Sequence, residues 1–337
     1  MEQKQALRLG AGAVILAIFI RLLSAGFFQP LFLIFGHEKV LSFLIYLETG
    51  HTVRFYDSSR QAEDPPPETE PETSAPAAEE PSQTPSGETL TFTAADLESV
   101  SVRYLCDYRP ELEALLTQSL DWDLTDGEPA VLIVHSHASE AYSGTEYIAS
   151  GDYRTLDTNY NVVSIGDEVA RILEAGGVTV IHDRAIHDYP DYNSGYTNSR
   201  ASIQAYLQQY PSIRMVLDLH RDAAATAEGQ LVTSATAGGQ RSAQIMLVMG
   251  SDAGGSYFPG WQENLSLGLK LSVLLEQTNP GINRPINLRS QRFNLDLSPG
   301  SLLVEVGAAG NTHEEAILAA NALAQAILEL AHGSDAG

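Results

Sequence analysis

Cysteine is almost missing from this chain: Cys106 is the only one in 337 residues. An intramolecular disulfide is therefore excluded, and so is any zinc site built on thiolates. Basic residues are scarce as well, 19 Lys and Arg against 43 Asp and Glu, for a net charge of −24. Partners that are themselves polyanions, nucleic acid above all, want a cationic patch that such a chain does not supply. Aliphatic residues are nearly absent from one stretch. Residues 57–90 contain PPPETEPETSAPAAEEPSQTPSGET, which cannot bury enough surface to fold. Pro-rich, charged segments stay extended, so this one reads as a linker that holds a domain away from whatever precedes it.

What precedes it is apolar. Residues 1–56 read as a membrane anchor and juxtamembrane segment: Lys4 and Arg8 lead into Ala11 to Phe35, nearly all apolar and long enough for a spanning helix, which takes about 20 residues. Arg21 falls inside that run, at a cost of roughly 2.5–3.5 kcal/mol if central, and snorkelling toward an interface relieves it. No small-x-small cleavage site follows the apolar core, so an uncleaved single-pass anchor is expected in place of a cleaved signal. The two basic residues favour a cytoplasmic N-terminus and a body outside the cytoplasm. Val40 to Leu47 is too short to span and is expected to lie at the membrane or to pack locally.

Residues 91–129 form a lead-in, with a strand expected near Ser101 to Leu105 and a helix over Pro110 to Leu120. From Ala130 to Ala331 strands and helices alternate, which predicts an α/β domain with a mostly parallel twisted sheet and helices on both faces. Val162, Ile165, Val169, Ile172 and Leu173 keep a helical period that Gly176-Gly177 ends. Further helices are expected over Ala201 to Gln209, around Leu265 to Leu275, and over Glu314 to Leu330. Strands are expected over Val178 to Ile181, Ile213 to Leu219, Gln244 to Met249 and Leu302 to Val306. About 200 residues make one domain with an ample core.

Three of these strands end in or carry polar residues of one chemical kind. Val131 to Val134 runs straight into HSHASE, where His137 and Glu140 stand three apart, on one side of a first helical turn if the chain turns helical there. Imidazole and carboxylate are ordinary zinc ligands, and a catalytic site needs three such ligands and one open position. His220, at the end of VLDLH, completes a His/Glu/His set, and Glu305 is an acid inside the apolar strand LLVEV, placed to act as general base. His135 is either a second-shell partner or a rival ligand, expected to face away from His137; Asp157 is the rival to Glu140. Arg221 and Asp222 adjoin the set and are candidates to orient His220 or to hold a substrate carboxylate. His182 and His187 are candidates for the substrate cleft, and Tyr189, Tyr192, Asn193, Tyr196 and Arg200 for a glycan-facing rim.

HSHASEAY, NVVSIGDEVARILEAGG, VIHDRAIHDYPDYNSGY, VLDLHRDA, ENLSLGLKL and LLVEVGAAGNTHEEA, in this order, resemble the stage II sporulation protein P family over residues 130–331. The resemblance implies a membrane-anchored peptidoglycan hydrolase of endospore formers, acting at the sporulation septum and engulfing membrane. It also implies a zinc-dependent N-acetylmuramoyl-L-alanine amidase with a zinc amidase/exopeptidase-like fold, and Zn²⁺ as cofactor. A second activity on peptide cross-links and partnership with stage II sporulation proteins D and M are implied in the same way. Two alternatives stay open on the residues alone: a zinc carboxypeptidase, which shares the His-x-x-Glu and distant His pattern, and a non-catalytic wall-binding module that needs no metal.

Overall fold

The computed structural model describes residues 90–120, 122–144, 153–227 and 229–333. The anchor and the linker expected over residues 1–56 and 57–90 lie outside these, apart from Leu90, whose N–H donates to the Gly333 carbonyl. Along the chain the elements are β1 (Val102–Tyr104), α1 (Leu112–Thr117), β2 (Val131–Val134), α2 (Val162–Ala175), β3 (Val180–His182) and α3 (Gly195–Gln209). Next come β4 (Met215–Asp222), two small ribbons β5 (Ala225–Thr226) with β6 (Gly229–Gln230) and β7 (Ala235–Ala237) with β8 (Gln240–Ser242), and β9 (Ile245–Met249). The chain closes with α4 (Trp261–Thr278), β10 (Ile286–Leu288), β11 (Ser301–Ala308) and α5 (His313–Gly333).

The local sequence accounts for these elements. Every residue of β2 is buried, as in a strand covered on both faces. Val131 and Ile133 join the larger core with α2, α4 and α5, while Leu132 and Val134 pack with Ile203 of α3, Ile213 and Val216. Asn161 caps α2 by accepting from the Val163 N–H at 3.0 Å, and the helix stops at Gly176, ahead of Gly177 at φ 87°. In α5 the alanines at 316, 319, 320 and 324 are buried, and small side chains let this helix lie close against α2. Among the described residues α5 is long and apolar enough to cross a membrane, but 56% of its most apolar window is buried inside the fold, as befits a core helix.

Seven strands form one sheet in the order β1-β10-β9-β11-β4-β2-β3. Every neighbouring pair is parallel except β9 with β11. The expected mostly parallel sheet with helices on both faces is present, divided into two parallel blocks by that one antiparallel junction. The lead-in is no separate preface: β1 is hydrogen-bonded to β10, so the sheet begins before residue 130.

The topology decides where chemistry gathers. From β2 the chain crosses by α2 to β3 on one side, then returns by α3 to β4 on the other. The two crossovers use opposite faces, so a switch point falls between β2 and β4. A crevice at the carboxyl ends of strands is where open α/β sheets bind ligands.

Candidate metal centre

Side chains along β2 alternate between the two faces, and the first residues after it continue the pattern. His135 points toward α2, where a Cβ on Gly166 would come within 2.7 Å of its Nε2, and Ser136 points toward α3, where its hydroxyl meets Ser199. On an unbroken strand His137 would share the face of His135, because residues two apart do. Instead the chain turns. Glu140 donates its N–H to the His137 carbonyl at 3.1 Å, and Glu140 and Ala141 then bridge to Arg154 and Asn161. This tight turn replaces the helix considered for HASE, and it swings His137 to the α3 face while keeping His137 and Glu140 adjacent.

The neighbouring strand ends supply the rest. In the parallel pair β11/β4, Glu305 is in register with His220, and Val134 of β2 is in register with Asp218 two residues before it. Asp218, His220 and Glu305 therefore share the α3 face with His137. One ligand atom each from His137, Glu140 and His220 lies within 4.8 Å of the other two. His220 Nδ1 is 3.3 Å from Glu140 Oε2, and His137 Nδ1 is 3.9 Å from Glu140 Oε1. The imidazoles of His137 and His220 meet edge to face at 5.2 Å between centroids.

The charges around this group are arranged for a cation. Burial acts against ionising Glu140, yet Arg221 and His220 hold its carboxyl down at about 2. Arg221, itself buried, donates its backbone N–H to Oε2 at 3.1 Å and Nη1 to Oε1 at 3.3 Å. Burial also works against a charged His220, but Asp218 and Glu140 outweigh it and raise its pKa. Burial pushes the Glu305 carboxyl up to about 8. Two buried atoms in the cluster lack a hydrogen-bond partner: Glu305 Oε2, and His220 Nε2, which approaches Asp218 Oδ1 at 2.9 Å without hydrogen-bond alignment. Two imidazoles, an ionised carboxylate and unsatisfied polar atoms beside them form a donor set that suits a divalent ion.

The other face carries a second histidine pair with a different character. His135 Nε2 and His182 Nε2 are 2.8 Å apart, His135 Nδ1 meets the Leu219 carbonyl at 3.0 Å, and His182 Nδ1 lies 3.1 Å from Asp167. Burial lowers these two imidazoles to about 3 and about 4. Neither histidine belongs to the His137 group.

Several residues singled out from the sequence are engaged elsewhere. Asp157 spends its carboxylate on its own turn, accepting from the Asn159 N–H and side-chain amide, so Glu140 is the carboxylate beside the two imidazoles. His187 pairs with Asp183 at 3.0 Å. Arg200 clamps Asp296 through two hydrogen bonds, fastening α3 to the turn at Leu295–Leu297, and Asp222 pairs with Arg284. Sequence reasoning passed over Asp218, although its place two residues before His220 on one strand put both on one face. Of the expected tyrosine rim, Tyr192 stacks on His137 at 4.1 Å and hydrogen-bonds its Nδ1 at 3.2 Å, while Tyr196 stacks on His220.

Comparison with known proteins gives this constellation a setting. Among solved structures, N-acetylmuramoyl-L-alanine amidase AmiC2 of Nostoc punctiforme is 15% identical, with 60% of this chain and 96% of that one covered and a TM-score of 0.38. The CwlD amidase from Clostridioides difficile in complex with the GerS lipoprotein is 16% identical, covering 59% of this chain and 96% of that one, with a TM-score of 0.35. Likeness at that level says nothing of chemistry. Stage II sporulation protein P of Bacillus subtilis (strain 168) is 25% identical over 217 residues, 61% of this chain, and the match spans 52% of that relative's length. The sequence model of the family described as stage II sporulation protein P (SpoIIP) matches residues 44–328, most of the chain, and on that match the chain belongs to the stage II sporulation protein P family.

Proposed function

We propose that this chain is a zinc-dependent peptidoglycan hydrolase that opens the amide between N-acetylmuramic acid and the L-alanine of the stem peptide during sporulation. The observation that carries the reading is the convergence of His137, Glu140 and His220 at the ends of β2 and β4, with Glu305 in register beside His220. The identity of the amide and the sporulation setting come from the family, not from this geometry.

His137, Glu140 and His220 would hold the zinc ion, which when bound supplies the Lewis acidity that brings water to a pKa of about 7 and polarises a carbonyl. The chain's own residues do the rest. Glu305 Oε2, buried and without a partner, takes the proton of the attacking water and returns it to the departing amine nitrogen. Arg221 keeps Glu140 ionised, and Asp218 backs the far side of the His220 ring while the Ser136 N–H and hydroxyl hold Asp218 in place at 2.8 and 2.6 Å. Tyr192 covers His137 and limits its rotation.

In this reading residues 1–56 anchor the protein in the membrane, the 57–90 linker spans toward the wall, and the hydrolase body works outside the cytoplasm at the engulfing membrane. Stage II sporulation proteins D and M are the proposed partners, and a second cut at peptide cross-links the proposed further activity. The test is mass spectrometry of the products that the purified full chain releases from peptidoglycan. New free amino termini on L-alanine, suppressed by a chelator and restored by Zn²⁺, are expected. Cleavage at another bond, or cleavage indifferent to the chelator, contradicts the reading.

A further inference from the structure

A cavity of about 220 Å³ opens beside the metal group, lined by Ser139, Arg154, Thr155, Asp188, Pro190 and Tyr192 among others. Two features of Arg154 mark it. First, among the described residues most arginines of this acidic chain sit on a carboxylate, including Arg171, Arg184, Arg200, Arg221, Arg241, Arg284 and Arg292. Among the described residues Arg154 makes no ion pair, and its Nε, like that of Arg289, is buried without a hydrogen-bond partner. Second, its guanidinium lies 3.7 Å over the centroid of Tyr192. A stacked guanidinium keeps its fork of N–H donors free at the edge, the geometry that receives a carboxylate in two parallel hydrogen bonds.

Its position relative to the metal group is fixed. The His137 ring stacks 4.1 Å from the same Tyr192 centroid, and two groups that close cannot share one face of a phenol ring. Tyr192 is thus sandwiched, His137 on one side and Arg154 on the other. The backbone of Arg154 is bridged to that of Glu140, and the preceding Tyr153, at φ 54°, is held by hydrogen bonds to its carbonyl from the Ala141 N–H and Arg221. Asp188, the acid among the described residues of the cavity wall, is taken up by the N–H and hydroxyl of Ser139.

Resting on the hydrolase reading above, we infer that this cavity is a peptide subsite in which Arg154 receives a free carboxylate of the stem peptide, on the residue that follows the alanine at the scissile amide. One ring thickness separates Arg154 from His137, a span that one or two extended residues cover at about 3.3–3.6 Å each. The subsite makes the enzyme selective for stems that carry that carboxylate free over stems in which it is amidated.

The test uses two synthetic muramoyl peptides, alike except that the second residue has a free or an amidated carboxyl, and measures kcat/KM for each with the zinc-loaded full chain. A wild-type preference of roughly 10- to 100-fold for the free acid, carried in KM, is expected. Arg154→Gln brings the ratio close to one, and Arg154→Lys keeps part of it. A wild-type ratio near one, an unchanged ratio in Arg154→Gln, or a preference that follows only the peptide's C-terminal carboxyl overturns the inference. Should neither substrate be cleaved, the hydrolase reading fails separately, and equilibrium binding of the two peptides to wild type and Arg154→Gln still decides the role of Arg154: equal affinities refute it.

Discussion

Two buried histidine clusters stand back to back across one sheet, two residues apart in sequence, and they differ in what surrounds them. On the α3 face His137 and His220 sit among Glu140, Asp218 and Glu305; on the α2 face His135 and His182 meet each other, a backbone carbonyl and the partly exposed Asp167, with Asp183 and Asp218 acting from farther off. Burial is common to both. His220, between Asp218 and Glu140, is held above the usual histidine range, whereas burial lowers its neighbour His137 and keeps His135 and His182 neutral down to about 3 and 4. Histidine near a strand end is not itself a metal signal. The acids placed by strand register are.

The largest expected break between the two faces is at Glu305. Glu305→Gln removes the proposed proton carrier but none of the three proposed ligands, so hydrolysis should fall by roughly 10²- to 10⁴-fold while the zinc content of the protein is unchanged. Loss of metal along with activity would move Glu305 into the ligand set. Asp218 is next. Asp218→Asn keeps the shape but not the charge behind His220, and a drop of about 10- to 100-fold in zinc affinity, measured by competition with a chromophoric chelator, is the expected result. An unchanged affinity would reduce Asp218 to a partner of Ser136.

The α2 face should answer in stability. Its histidines have folded pKa values depressed below the ordinary 6.5, so the unfolded chain takes up protons first as pH falls. Their contribution is full above about pH 6.5 and is lost progressively as pH falls toward 4 and 3. Between pH 7 and 5, denaturant unfolding of the metal-free protein should show wild type losing roughly 2 kcal/mol more than His182→Gln. Parallel curves would show that this pair does not set the acid response.

Two glycines let helices approach the clusters. A Cβ on Gly166 of α2 would lie 2.6 Å from His182 Nε2, and one on Gly195 of α3 would lie 2.3 Å from the Ser136 carbonyl oxygen and 2.9 Å from His137 Cδ2. Replacing either by Ala should cost about 1–3 kcal/mol in thermal or denaturant unfolding, but only Gly195→Ala should also weaken zinc binding. Equal effects on metal from both variants would erase the distinction between the faces.

Much of this arrangement is legible in the sequence because it follows from period. The apolar run Val131 to Val134 is β2 to the residue, and the 3.6-residue spacing from Val162 to Leu173 with its closing glycines gives α2. His137 and Glu140 follow the end of β2, while His220 and Glu305 sit within β4 and β11, in register with each other. Other features rest on pairings that no local pattern encodes. The antiparallel β9/β11 junction and the edge position of β1 are choices among distant strands, and short β10 carries too little pattern to announce itself. α3 begins at Gly195, six residues before the expected Ala201, because its first turn is polar and gives no apolar period. The turn that reverses His137, and the Tyr192 ring between His137 and Arg154, depend on contacts made only when the loops close over the sheet.

On this proposal one face of the sheet holds a single divalent ion and the other holds none. Its most direct measurement is the zinc content, by elemental mass spectrometry after dialysis, of the purified full chain alongside His220→Ala and His182→Ala. One equivalent in wild type and in His182→Ala, with background levels in His220→Ala, is the predicted result. Zinc retained by His220→Ala, or lost by His182→Ala while the protein remains folded, contradicts the account.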